Sequence, residues 1–328
     1  MSGRRTTLGM TGLDVSRICF GTWQLGTDWG SFDEQEAIGA IRHARELGIN
    51  FFDTAQGYGW GQSEQLLGRA LADELRSDRD ALVIATKGGL RADGGETRRD
   101  SSPQWLREGV DRSLEALGVE HIDLYQVHWP DPDTPFAETA GTLQELVDEG
   151  KIRHVGVSNF DAAEMAEFAR TRPVETLQPP YHLFRREIEA EVLPYCREHD
   201  IGVLVYGPLG HGLLSGAIDE DTVFPADDWR GQSDLFQGEN LKRNVEAVRR
   251  LDELARENGH KVSQLALAWV LANPAVHVAI VGTRKADHIA ESIEAADIEL
   301  SDSDLARIDE IVDQGVPIGG PTPDSGGH

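Results

Sequence analysis

Short apolar segments of strand type alternate with longer helical segments from one end of the chain to the other. Several of the strand segments are nearly continuous apolar runs, as in strands that are covered on both faces. Between them the apolar residues recur at helical spacing, as at Phe136, Ala140, Leu143 and Val147 before Gly150. Eight predicted strands span residues 18–21, 50–54, 82–87, 122–128, 152–158, 175–178, 201–206 and 278–282. This alternation implies parallel strands joined by helical crossovers.

Eight βα units in 328 residues predict an α/β fold, a closed (β/α)8 TIM barrel with additional helices. A doubly wound sheet more often shows fewer units or a second domain. No Pro/Gly/Ser-rich linker divides the chain, so residues 1–328 are predicted to be one barrel domain. The segment TTLGMTGLDVSRI, which contains Asp14, predicts an N-terminal β-hairpin that plugs the bottom of the barrel. Residues 209–240 are an irregular insertion, and residues 317–328 are expected to be a flexible tail.

The charge balance excludes several kinds of partner. The chain has 57 acidic and 31 basic residues, a net charge of -26, and this would repel both nucleic acid and an anionic membrane. No stretch approaches the roughly 18 apolar residues of a membrane span, and the first residues lack the apolar core of a signal peptide. Cys19 and Cys196 lie in apolar runs and are expected to be buried small hydrophobes. A cytoplasmic protein is therefore expected.

Lysine is scarce among the basic residues. Only five of the 31 are lysine, and the others are arginine. An acidic excess with little lysine suggests adaptation to high salt, where ions screen the repulsion between surface charges. The alternative is a GC-rich genome combined with an ordinary acidic surface.

Four reactive side chains fall where predicted strands end, which is where barrels of this kind carry their chemistry. They are Asp53 after the second strand, Tyr58 in the following loop, Lys87 at the end of the third strand and His128 at the end of the fourth. Taken singly, Asp53 could cap a helix, Tyr58 could fill space and His128 could be a buried structural histidine. Lys87 would bury a charge at large cost unless Asp53 pairs with it.

Together the four side chains would make an acid catalyst. A free tyrosine titrates near pH ~10 and is a poor proton donor at neutral pH, whereas a neighbouring lysine cation favours the phenolate. Asp53 would keep Lys87 charged and oriented. His128 could hydrogen-bond a carbonyl oxygen or join the proton relay. The predicted chemistry is proton donation by Tyr58 to a developing alkoxide.

The chain resembles the aldo-keto reductase family in motifs spread along most of its length. These are FGTWQLG, FFDTAQGYGWGQSE, IATKGG, DLYQVHWP, GKIRHVGVSNF, QPPYHLFRR, FQGEN and IVGTRKADHIAES. The resemblance implies a (β/α)8 barrel and an oxidoreductase that reduces aldehydes, ketones or sugar carbonyls reversibly. Hydride would come from the nicotinamide of NADPH and the proton from Tyr58.

The resemblance also implies a nicotinamide dinucleotide site without the Rossmann signature. The run GYGWGQ lacks the third glycine of G-x-G-x-x-G. Ser158, Asn159 and Gln178 would hold the carboxamide, and Tyr206 would stack on the nicotinamide ring. The other cofactor residues implied are Gly21, Thr22, Trp23, Asp53, Gly207, Pro208, Leu209, Gly210, Gly282, Thr283, Arg284, His288, Glu291 and Ser292.

Cofactor preference depends on the adenosine end of this predicted site. Thr283 and Arg284 would lie near a 2′-phosphate and Glu291 near the adenine, which favours NADPH and leaves NADH possible. The alternative for Arg284 is a solvated Arg-Lys pair that opens the last helix. The chain has Ala217 where the family commonly has a lysine on the pyrophosphate, and Ser292 where asparagine is common. Both departures bear on cofactor affinity and preference.

Tryptophans in the loops suggest an aromatic substrate pocket. Trp23, Trp29, Trp60 and Trp129 fall in or beside loops at the reactive end, although such rings could instead pack on one another. The predicted pocket comprises Trp23, Tyr58, Trp60, His128 and Trp129, and its ligand is a small carbonyl compound or alcohol.

Two other functions remain open at this point. One is a regulatory subunit that binds the cofactor and senses redox state with little turnover. The other is a metal-dependent barrel isomerase, but Lys87 occupies a strand end that a metal ligand would need, so no metal is expected. The sequence does not reveal the oligomeric state.

Overall fold

Eight parallel strands close into a barrel, as the alternation of elements predicts. The computed structural model describes residues 3–26, 32–225, 228–233 and 236–318. The barrel strands are β3 (Ile18–Gly21), β4 (Phe51–Asp53), β5 (Val83–Gly88), β8 (Ile122–Val127), β9 (Ile152–Ser158), β10 (Thr176–Gln178), β11 (Gly202–Val205) and β12 (Val278–Gly282). They pair in chain order, and β12 pairs with β3 to close the ring. The predicted (β/α)8 fold is confirmed.

Helices pack around the outside of this barrel. They are α1 (Glu34–Glu46), α2 (Gln62–Ala70), α3 (Ala72–Ser77), α4 (Pro103–Leu117), α5 (Phe136–Asp148), α6 (Ala162–Phe168), α7 (Val192–Glu198), α8 (Gly238–Glu257), α9 (Val262–Ala272), α10 (Ala286–Glu294) and α11 (Asp302–Val312). Side-chain caps set several of their first residues. Asp33 accepts hydrogen bonds from the backbone of Gln35 and Glu36, and Ser301 accepts one from Asp304.

An N-terminal hairpin closes the bottom of the barrel, as predicted. Its strands β1 (Arg5–Thr7) and β2 (Asp14–Ser16) pair antiparallel. Leu8 and Val15 are fully buried in the apolar cluster of the barrel interior. Gly9 takes a positive φ of 49°, and a Cβ there would lie 2.3 Å from the backbone nitrogen of Gly202. Only glycine therefore allows the hairpin to seat against the strand ends.

A second hairpin, β6 (Leu90–Asp93) with β7 (Glu96–Arg99), follows β5 and is not predicted by the sequence. Gly94 and Gly95 form its two-residue turn, with φ of 61° and 97°. Trp105 of α4 donates its indole N–H to the carbonyl of Leu90 at 3.0 Å, which anchors the hairpin to the barrel.

Two predicted irregular segments need correction. Helix α8 begins at Gly238, inside the 209–240 insertion. The predicted flexible tail, 317–328, starts as packed chain, because Ile318 is 3% exposed and its backbone N–H donates to the carbonyl of Phe184 at 2.6 Å. Residues 319–328, like Trp29, lie outside the described residues.

Candidate active site

The four reactive side chains predicted from the strand ends meet inside the mouth of the barrel. Asp53 ends β4, Lys87 lies in β5, His128 directly follows β8, and Tyr58 lies in the loop between β4 and α2. All four are buried, and Tyr58 is the most exposed at 7%. The register of the strands explains their proximity, because Asp53 is opposite Ala85 in β5, two residues before Lys87 on the same face.

The ammonium group of Lys87 connects Asp53, Thr54 and Tyr58 by hydrogen bonds. Its Nζ donates to Asp53 Oδ1 at 2.6 Å, to the carbonyl of Thr54 at 2.8 Å and to Tyr58 Oη at 3.2 Å. These three contacts use the three N–H donors of a lysine. A buried lysine is tolerated because a carboxylate and two further oxygens compensate for the water it has lost.

The second carboxylate oxygen of Asp53 is held by two amides. Gln178 Nε2 donates to Asp53 Oδ2 at 2.9 Å, and Gln126 Nε2 donates to the same oxygen at 3.2 Å. Sequence reasoning missed Gln126. The sequence did carry a signal for Gln126, because it stands two residues before His128 on the same strand and therefore shares the inward face.

Two aromatic rings lie beside the ring of Tyr58. The His128 ring lies edge-on to the Tyr58 ring, with centroids 5.7 Å apart, and the Trp23 ring lies 6.4 Å from it. The loop after Tyr58 turns through three left-handed residues, Gly59, Trp60 and Gly61. A Cβ on Gly26 would come within 3.0 Å of the backbone of this loop, so the chain is tightly packed beside the tyrosine.

A cavity of about 360 Å³ opens at the carboxyl ends of the strands. Sixteen residues predicted for the site line its wall: Gly21, Thr22, Trp23, Asp53, Tyr58, His128, Ser158, Asn159, Gln178, Tyr206, Gly207, Pro208, Leu209, Gly282, Thr283 and His288. Ile280 lines it as well and was not predicted. The sequence also gave no signal for Gln24, His211, Gly212, Ser215, Arg230 and Val281. Within the described residues, Lys87 and Gln126 lie behind this wall.

Hydroxyl and amide side chains form a connected patch on one side of the cavity. Ser158 Oγ donates to the carbonyl of Gln178 at 2.8 Å, and Asn159 Nδ2 donates to Ser158 Oγ at 3.0 Å. Tyr206 Oη donates to Asn159 Oδ1 at 2.9 Å, while Asn159 Nδ2 also reaches the carbonyl of His128. These bonds fix the side chains in place. The patch offers the mixed donor and acceptor surface that a neutral carboxamide requires.

The predicted adenosine contacts are only partly on the cavity wall. Thr283 and His288 line it, but Gly210, Arg284, Glu291 and Ser292 do not. Arg284 donates from Nε to the carbonyl of Gln24 at 2.9 Å, and burial lowers the pKa of its guanidinium. The carboxylate of Glu291 pairs with Lys261, and the hydroxyl of Ser292 donates within its own helix to the carbonyl of His288.

Two tryptophans predicted for the substrate pocket lie elsewhere. Trp60 is 46% exposed and borders a separate depression on the far side of its loop, beside Trp105 and Glu64. Trp129 is half-buried beneath the guanidinium of Arg99, which lies 4.9 Å from the ring centroid. Neither ring lines the cavity at Tyr58.

Two features of the described residues bear on other functions. No group of three or more histidine, cysteine, aspartate or glutamate side chains in these residues is arranged to hold a metal ion. None of the described helices has the length and apolar composition needed to cross a membrane.

The fold and the site define an α/β-barrel protein with a lysine, carboxylate and tyrosine centre at the carboxyl ends of its strands. The aldo/keto reductase family model matches residues 17–313. Aldo-keto reductase YhdN of Bacillus subtilis is 41% identical over 96% of each chain. The NADH-specific methylglyoxal reductase of Escherichia coli is 34% identical over 94% of this chain and 98% of its own.

A solved structure gives the same result. The glycerol dehydrogenase of Gluconobacter oxydans superposes with a TM-score of 0.89 at 38% identity and covers 98% of this chain and 99% of its own. The chain therefore belongs to the aldo-keto reductase family of oxidoreductases, whose members use nicotinamide cofactors.

Proposed function

We propose that the protein reduces aldehydes, ketones or sugar carbonyls to alcohols, reversibly, with Tyr58 as the proton donor. One observation carries this proposal. Lys87 Nζ lies 3.2 Å from Tyr58 Oη and 2.6 Å from Asp53 Oδ1, and both of these partners line the cavity that opens at the barrel mouth. A cation at hydrogen-bond distance stabilises a phenolate and makes the tyrosine a better acid.

Each of the four side chains has a distinct task. Tyr58 gives its hydroxyl proton to the oxygen of the carbonyl group as negative charge develops there. Lys87 stabilises the phenolate that remains, and Asp53 keeps Lys87 charged and in place. His128, whose ring is edge-on to that of Tyr58, lines the cavity where the carbonyl oxygen would lie and orients that oxygen toward Oη.

The residues of the cavity wall support binding of the nicotinamide end of a dinucleotide. The Ser158, Asn159 and Gln178 patch would hold the carboxamide, and Tyr206 would support the flat ring. The bound cofactor supplies the hydride. Gly207 and Gly212, both with positive φ, let backbone approach the cavity closely along the segment that follows β11.

We propose NADPH as the preferred cofactor, with NADH as the alternative. Arg284 is held beside the cavity by its hydrogen bond to Gln24, a wall residue. A planar guanidinium suits the oxygens of a 2′-phosphate. NADH is retained as the alternative because the relative from Escherichia coli is NADH-specific. Binding constants for NADPH and NADH, compared between wild type and Arg284→Leu, decide the point: loss of affinity confined to NADPH supports the assignment.

The names of two similar proteins point to small polar substrates, since one is a methylglyoxal reductase and one a glycerol dehydrogenase. The test is oxidation of NADPH with methylglyoxal or glyceraldehyde, in wild type and in Tyr58→Phe. We expect turnover by the wild type and a loss of about 10²- to 10⁴-fold in the variant, with unchanged cofactor binding. Cofactor binding without turnover on any carbonyl would instead favour a redox-sensing regulatory subunit. Equal turnover by both proteins would contradict the role of Tyr58.

A further inference from the structure

A buried carboxylate lies directly behind the strand that carries Lys87. Glu64, in the first turn of α2, is 1% exposed. Thr86 Oγ1 donates to its Oε1 at 2.6 Å, and Thr86 is itself fully buried. Since alternate residues of a strand point to opposite faces, Thr86 points out toward α2 while Lys87 points into the barrel. Glu64 and Lys87 are thus separated by the thickness of one strand.

A carboxylate inside a protein requires compensation for lost hydration. Burial raises the pKa of Glu64, and three features oppose that rise: the Thr86 hydrogen bond, the nearby hydroxyl of Ser113 on α4, and the positive charge of Lys87. The first turn of a helix also favours a negative charge. On the neighbouring strand β8, the Tyr125 hydroxyl faces the same space and is neutral, because burial raises its pKa.

Glu64 has no direct access to the reacting atoms. Neither Glu64 nor Thr86 lines the cavity at Tyr58, and the group of the proposed site whose charge acts on Glu64 is Lys87. Asp53 contacts Lys87 from inside the barrel at 2.6 Å. The ammonium group therefore lies between one acid in front of it and a second acid behind the strand.

We propose that Glu64 is a positioning residue for the reaction: as a carboxylate it is the second counter-charge of Lys87 and limits how strongly the ammonium acidifies Tyr58. The inference rests on the proposed function, because it concerns the proton that Tyr58 donates. A residue outside the barrel wall would then help to set the pH range in which the site is active.

The test compares pH profiles of Glu64→Gln and wild type. Glutamine keeps the shape and the acceptor for Thr86 but removes the charge. The positive potential at Tyr58 then increases, and its hydroxyl loses its proton at lower pH. We expect the basic limb of kcat/KM for methylglyoxal reduction to move to lower pH by about 0.5 to 1 unit. NADPH affinity, measured by fluorescence, should stay unchanged because Glu64 is not on the cavity wall.

Glu115→Gln is the matched control, since it removes an exposed carboxylate from the neighbouring helix α4. Its profile should superimpose on that of the wild type. A Glu64→Gln profile that also superimposes overturns the proposal, whatever the change in Tm. If Glu64→Gln does not fold, Thr86→Val provides the test: it removes the hydrogen bond that favours the carboxylate, and a smaller shift of the same sign is expected. No shift in Thr86→Val would then overturn the proposal.

These outcomes differ from failure of the proposed function. Absence of turnover by the wild type, or equal turnover in Tyr58→Phe, would remove the function itself. A wild type that turns over through Tyr58, with identical profiles in the Glu64 variant, would remove only the role of Glu64.

Discussion

Gln178 donates a hydrogen bond to Asp53 across the barrel interior, with 2.9 Å between Nε2 and Oδ2. Gln178 also lines the cavity, so one side chain contacts both the carboxylate of Asp53 and the space proposed for the cofactor. Gln126 donates to the same oxygen at 3.2 Å from behind the wall. Both amides thus hold Asp53, but only Gln178 also borders the proposed cofactor space. Mutation of each residue can therefore separate the two roles.

We predict that Gln126→Leu and Gln178→Leu will give different kinetic signatures. Either change removes a donor from Asp53 and should lower kcat by about 10- to 100-fold, because small misplacements of a catalytic group are costly. Only Gln178→Leu should also weaken NADPH binding. Fluorescence titration and steady-state kinetics measure the two effects. Equal losses of cofactor affinity in both variants would contradict this division of roles.

Removing one partner of the buried ion pair should destabilise the fold as well as the activity. Lys87→Met leaves the Asp53 carboxylate, 2% exposed, without its cation, and we expect a loss of about 3 to 5 kcal/mol in the free energy of unfolding. The double variant Lys87→Met with Asp53→Asn should regain part of this stability but no activity. Urea unfolding gives both values. A double variant no more stable than the single one would show that the loss is not electrostatic.

Gly88 is predicted to be intolerant of even one methyl group. A Cβ at this position, in β5 next to Lys87, would lie 1.8 Å from Tyr125 Oη. Overpacking typically costs about 1 to 3 kcal/mol, and so severe an overlap places Gly88→Ala at or above the upper end. Replacing Tyr125 by phenylalanine in the same chain should recover part of the loss.

Gly39→Ala is the control, because nothing lies within 4 Å of a Cβ there and the residue is in the middle of α1. Alanine should raise stability by about 0.5 to 1 kcal/mol at that helical position. A Gly88→Ala protein with the Tm of the wild type would contradict the proposed close approach of the Tyr125 hydroxyl.

Glu175 should contribute stability that disappears in acid. Burial opposes ionisation, but the hydrogen bonds from His154 and the backbone of Val155, with the charge of Arg172, hold the pKa of Glu175 below its ordinary value. A group whose pKa is lowered by folding stabilises the protein above its unfolded pKa, about 4.3, and loses that contribution as the pH falls further. The Tm difference between wild type and Glu175→Gln should therefore be largest near neutral pH and shrink in acid. A constant difference would contradict the linkage.

We propose that the acidic composition is an adaptation to high salt. A net charge of -26 implies repulsion that added salt screens, whereas exposed ion pairs such as Arg76–Asp73 contribute little and are weakened by the same salt. We expect the Tm to rise between about 0.1 M and about 2 M KCl. Full stability and activity in dilute buffer would remove the hypothesis.

The barrel strands were predictable because both faces of each are buried. The predicted strands at 18–21, 152–158 and 278–282 match β3, β9 and β12, and the other five differ from the structure by one residue at one or both ends. Hairpin β6–β7 was not predictable in this way. Its residues, such as Arg91 and Arg98, are largely exposed, and the two-glycine turn alone does not distinguish a hairpin from a loop.

The positions of site residues at strand ends could be predicted from the sequence, whereas those of residues in the loops could be predicted less well. Asp53, Lys87 and His128 are placed by barrel geometry, so their proximity follows from the strand count. Trp60 shows the limit, because the left-handed backbone at φ 52° turns its ring to the outer side of the loop. That direction depends on tertiary packing between Gly26 and the loop, which no local sequence pattern encodes.

The family match begins at residue 17, yet Leu8 and Val15 already fill the floor of the barrel. The unit that folds is therefore longer than the stretch that the family model matches. A chain trimmed to residues 17–313 would admit water to Cys19 and Phe51 from below. Residues 5–16 thus belong to the architecture of the barrel, although none of them lines the cavity at Tyr58.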